Sequence, residues 1–212
     1  MPKVRKDSTT IHGVLNVFQK ERPHHKKSLH LLRAYLDEYA TPVRKTNDAV
    51  AVQEGPGDIL QDADEFLDWY LVRRIPRGLT MLPEAACMVA DLCTWMAERG
   101  LVPDFDARVQ ASYAVKAAGQ IPIAQKLEVL LSEFTGTPSI GTVDQVLDSR
   151  FEVKEVKRTR LVLVCQETGR KVVVHVPSII SENTRRGWKL TLLIEKRNGE
   201  WSIREPGFVD PF

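Results

Sequence analysis

Nine cations fall between residues 154 and 189: Lys154, Lys157, Arg158, Arg160, Arg170, Lys171, Arg185, Arg186 and Lys189. Phe151, His175, Trp188 and Trp201 are interleaved with them. Domains that hold single-stranded nucleic acid combine cations along the phosphate track with aromatic faces on which bases stack. On that chemistry Arg158, Arg160, Lys171, Arg185, Arg186 and Lys189 are the candidate phosphate contacts. Trp188, Trp201 or Phe151 would supply the stacking ring. The same residues also fit a plainer arrangement, because Glu152, Glu155 and Glu167 lie among the cations. Large rings in short strands are ordinarily core.

Other reactive types are less suggestive. His24, His25 and His30 form the one histidine cluster. On a helix, neither a five- nor a six-residue spacing brings two imidazoles to one metal as i, i+4 does. Lys26 and Lys27 would also repel a cation, so no metal and no cofactor are expected. Cys87, Cys93 and Cys165 sit in apolar stretches and read as buried thiols. Asp62, Asp64 and Glu65, and likewise Asp104 and Asp106, stand where helices should begin, which is where capping favours acids. No phosphate-cradling glycine loop, nucleophile elbow or zinc-finger spacing occurs. The expectation is therefore a non-enzymatic binding module. Its partner is single-stranded nucleic acid on one reading and another protein, which the chain would dock or scaffold, on the other.

Two kinds of element must position these residues. Before Gly136 the apolar residues recur at helical spacing. Ile11, Val14, Leu15 and Phe18 mark a first helix over 10–20, and Leu29, Leu32, Leu36 and Tyr39 a second over 26–39. Residues 41–60, with Gly55-Pro56-Gly57, read as a loop. Further helices are expected from Asp62 or Asp64 to Ile75, from Pro83 to Arg99, over 106–118 with Gly119 as its end, and over 122–134. After Gly141 the pattern changes to strands at 150–156, 160–165, 170–176, 188–196 and 200–204. Asn198-Gly199 is a hairpin turn, and a turn of helix is expected within 177–186.

The fold class expected is α+β. A mobile tail at 1–10 precedes an all-α domain at 11–135, a linker at 136–142, and a small five-stranded antiparallel β-barrel at 143–212. The formal charge of +2 conceals an uneven distribution: +6 over residues 1–45, −7 over 46–142 and +3 over 143–212. Basic ends around an acidic middle fit internal charge complementarity or an anionic partner. A hydrophobic fraction of 43% supports a substantial core, and no apolar run nears the roughly 18 residues of a membrane span. Three cysteines and a basic start without an apolar stretch behind it point to the cytoplasm.

The order of three strands, a short helix and two strands, with His175-Val176-Pro177-Ser178 and Arg186-Gly187-Trp188-Lys189-Leu190 around that helix, resembles the OB-fold. An SH3-like barrel is the alternative. The resemblance covers about sixty residues and implies a surface of the kind that binds oligonucleotides in that fold. Phe66-Leu67-Asp68-Trp69-Tyr70-Leu71, Leu82 to Trp95 and Glu98-Arg99-Gly100-Leu101 resemble the helical core-binding domain of tyrosine recombinases. The resemblance reaches only helical packing. His30-Leu31-Leu32-Arg33 matches that family's H-x-x-R but precedes the resembling helices instead of following them, so recombinase chemistry is not implied.

Overall fold

The computed structural model describes residues 10–40, 55–134 and 142–212. Residues 1–9 of the expected tail, 41–54 of the expected loop and 136–141 of the expected linker lie outside them. The chain divides into two compact units, Met1–Gly119 and Gln120–Phe212. The described residues contain six α-helices and one five-stranded sheet, an α+β chain.

In the first unit, α1 (Ile11–Glu21) is capped by Thr10, whose Oγ1 accepts from the Gly13 amide at 3.2 Å. The predicted stripe of Ile11, Val14, Leu15 and Phe18 is buried. A 3₁₀ turn at Pro23–His25 leads into α2 (Lys26–Tyr35), which widens into a π turn at Leu36–Ala40. Helix α3 (Pro56–Glu65) begins inside the stretch expected to be loop. Proline gives up no bond in a first turn, and the Asp58 carboxylate accepts from the Gly55 amide at 2.7 Å, so Gly55-Pro56 is a start signal instead of a breaker. The chain continues as π-helix through Phe66–Arg74. The Tyr35 hydroxyl donates to Glu65 at 3.0 Å. Burial, then the charges of Asp62 and Glu65, push this phenol well up.

Helix α4 (Gly78–Glu98) starts a full turn before Pro83, which lies inside it. The reason is packing. A Cβ on Gly78 would lie 1.6 Å from the Leu71 carbonyl oxygen, so the missing side chain admits the preceding helix. Leu82, one residue before the proline, is fully buried. Helix α5 (Asp104–Phe134) is one helix where Gly119 and Pro122 predicted two. Ala117, Ile121 and Ala124 on either side of that break are all buried, and burial outweighs the local preference of a glycine and a proline.

In the second unit the strands are β1 (Gln145–Lys157), β2 (Arg160–Cys165), β3 (Lys171–His175), β4 (Lys189–Arg197) and β5 (Glu200–Asp210). Between β3 and β4 lies α6 (Ser178–Asn183), the predicted turn of helix. Strand β1 pairs with both β2 and β4, so the order β1-β2-β3-β5-β4 returns on itself and the barrel closes. The sheet is mixed instead of antiparallel: β3 meets β5 in parallel at Val174–Trp201. The two strands are not sequence neighbours. The β4–β5 hairpin sets the direction of β5, and closure brings it beside β3. Phe151, Val153, Leu161, Leu163, Val172, Val174, Trp188 and Leu190 fill the interior, with Ala124, Leu127 and Leu131 of α5. Each large ring buried this way stabilises the unit by about 2–3 kcal/mol.

Candidate nucleic-acid interface

The strand register determines which cations share a face. Lys189, Glu152, Val164 and Lys171 form one row across β4, β1, β2 and β3. Glu155, Val162 and Val173 form the next row, and Lys157, Arg160 and His175 the third. Alternation places all of them opposite the core-facing Phe151, Val153, Leu163 and Val172. A β-bulge between Val153 and Glu155 inserts Lys154 into this part of β1. The Arg158-Thr159 turn closes the third row. It is held from two sides: Ser181 Oγ lies 2.7 Å from the Arg158 carbonyl oxygen, and the Val176 amide donates to Thr159 at 3.0 Å.

Ion pairs then sort the cations. Lys154 pairs with Glu152 at 2.5 Å, Lys157 with Glu155 at 3.3 Å, and Lys171 with Glu155 at 3.8 Å. The Glu155 carboxyl is held below its ordinary value, first by the hydrogen bond from Lys157 and then by the charges of Lys157 and Lys171. Arg158 and Arg160 are exposed and have no ion-pair partner among the described residues. Lys171, His175 and Val173 are exposed beside them.

The remaining candidates stand apart from this face or are already engaged. Lys189 donates to the Phe212 carbonyl at 2.6 Å and lies 3.7 Å from Asp210, which also pairs with Arg150. Arg185 Nη1 donates to the Glu182 and Thr184 carbonyls at 2.6 and 3.1 Å, closing the end of α6. Arg186 is exposed at a shallow cavity of about 420 Å³ shared with Gln120, Ile123, Trp188 and Pro211.

None of the three expected rings offers an open face. Trp188 is 3% exposed and Phe151 is fully buried, so both serve the core. The Gly187–Trp188 backbone is locked to Val153, whose carbonyl accepts from the Gly187 amide and whose amide donates to the Trp188 carbonyl, both at 2.8 Å. Trp201 is half-buried, and the Arg170 guanidinium sits 5.1 Å above its ring. The exposed ring among the cations is the His175 imidazole, opposite Arg160. Period-2 alternation along Lys171, Val173 and His175 is the signal that could have selected it.

No protein-family model, curated protein or solved structure matches this chain.

Proposed function

We propose that the second unit is an OB-like barrel that binds single-stranded nucleic acid on the outer face of β1, β2 and β3. The observation carrying this reading is the pair Arg158–Arg160 at the β1–β2 turn, exposed and without ion-pair partners among the described residues, above the β2–β3 surface. In the OB-fold, the face of strands two and three together with the loops after strands one and four is where oligonucleotides lie. The counterparts here are the Arg158-Thr159 and Asn198-Gly199 turns. Five cations and two acids on the β1–β3 part of the three rows and their turn (Lys154, Lys157, Arg158, Arg160, Lys171; Glu152, Glu155) favour a polyanion. Base contact would fall to His175 and to the aliphatic Val173, since the tryptophans are withdrawn. Contact through phosphates with one small ring predicts weak sequence preference and strong salt dependence.

Fluorescence anisotropy with labelled single-stranded DNA and RNA tests the reading. Binding at low salt that weakens steeply as salt rises, and that Arg158→Glu/Arg160→Glu abolishes, supports it. Absence of binding at low salt overturns it. The protein-docking reading has one observation in its favour, in the first unit: Phe105 and Val109, one turn apart on α5, are 76% and 52% exposed. It requires that oligonucleotides bind nowhere on the chain.

A further inference from the structure

His24, His25 and Asp91 gather donors that the linear sequence keeps apart. The 3₁₀ turn at Pro23–His25 sets the two imidazoles side by side, with ring centroids 4.0 Å apart and planes inclined by 47°. Asp91 reaches them from the middle of α4, and one ligand atom from each residue lies within 4.8 Å of the others. His25 Nε2 is 3.1 Å from Asp91 Oδ2. Ligands about 2.0–2.2 Å from a tetrahedral zinc stand at about the His25–Asp91 separation, and the His24 donor lies within 4.8 Å of both.

The arrangement is held before any ion arrives. The His25 side chain is 6% exposed, and its ring stacks on Phe18 at 5.9 Å with an 8° tilt. Phe18 is in turn met edge-on by Trp95 at 5.4 Å. Arg22 Nε lies 3.3 Å from the same Asp91 Oδ2, so a bound ion would share that carboxylate with the guanidinium. Its positive charge opposes a cation and limits the affinity. His24 is exposed and Asp91 is one-third exposed, so the side facing solvent is open to a water ligand.

We propose that His24, His25 and Asp91 bind a divalent transition metal of the zinc class, with water completing the coordination. Two imidazoles and one carboxylate suit such ions better than magnesium or calcium, which prefer all-oxygen shells. The bound ion clamps the turn between α1 and α2 onto α4. A plain buried hydrogen bond between His25 and Asp91 would need no His24, and this separates the two explanations.

The test is calorimetric titration of the chelator-treated full chain with zinc chloride, alongside visible absorption of the cobalt(II) form. The expected result is one equivalent bound with a raised Tm. Affinity should drop at least tenfold in His24→Ala and in Asp91→Asn, both still folded by circular dichroism. Acidification should release the ion, because imidazole ligates only when neutral. His24 is exposed, so its variant tests the site without disturbing the core. The absence of stoichiometric binding overturns the proposal. So does full affinity in His24→Ala, including the case in which Cys87→Ser abolishes binding and the exposed thiol is the true ligand.

Discussion

Arg197 grips Glu195 with two parallel hydrogen bonds, Nε to Oε1 at 2.8 Å and Nη2 to Oε2 at 3.1 Å, on β4 where the glutamate side chain is only 6% exposed. The hydrogen bonds from Arg197 hold the Glu195 carboxyl below its ordinary 4.5, against the opposing pull of burial. A lowered folded value means that the pair contributes its full stability above the ordinary value. That contribution is lost as pH falls through the folded one. Glu195→Gln should cost about 2 kcal/mol in urea unfolding at neutral pH. The difference between variant and parent should shrink as the pH is taken below the carboxyl's ordinary value. A pH-independent difference would assign the cost to packing.

Gly78 is required by the close approach of the Leu71 carbonyl. Gly78→Ala should destabilise the first unit by about 3 kcal/mol, since the obstacle is backbone and cannot rotate away. Gly57, in the first turn of α3, has open space where a Cβ would stand, with nothing within 4 Å. Gly57→Ala should stabilise by about 0.5 kcal/mol. Denaturant midpoints of the two variants check both signs.

The ion-pair pattern on the barrel grades the proposed phosphate contacts. Arg158→Ala and Arg160→Ala should each lower the slope of log affinity against log salt by about 0.7 for a single strand. Lys189→Ala should change it less, because that ammonium is already committed to Asp210 and the Phe212 carbonyl. Equal effects from all three would place the strand on a different face.

Thiol accessibility differs sharply among the three cysteines. Cys87 is exposed, whereas Cys93 and Cys165 are buried. Burial pushes the Cys93 thiol up to about 12. A disulfide reagent at neutral pH should label one thiol rapidly in the native chain and all three only in denaturant. Two fast thiols would contradict the packing of α4 or of β2.

Where a signal is local, the sequence was readable. The stripe from Ile11 to Phe18 specifies a helix and its buried face, because a 3.6-residue period leaves no other way to bury four apolar side chains together. Asn198 and Gly199, at φ of 48° and 85°, form the hairpin turn that only such residues enter readily. The number and order of the strands, the turn of helix before β4 and the basic turn at Arg158 were legible for the same reason, whereas the extension of β1 back to Gln145 and of β5 on to Asp210 was not. Local punctuation misleads where packing intervenes: Pro83 signals a helix start and Gly119 and Pro122 a break, yet all three lie inside helices whose buried neighbours override them.

By itself the amino-acid sequence determined the change from helix to strand after Gly136, the short helix between β3 and β4, and the cations crowded around the first hairpin. Only the tertiary structure decided which of those cations share a face, that Trp188 and Phe151 are interior, that β3 meets β5 in parallel, and that Asp91 stands beside His24 and His25. Each of these depends on a contact between residues distant in the chain. Local preference carries no information about such contacts, because the burial that selects them exists only once the units have closed.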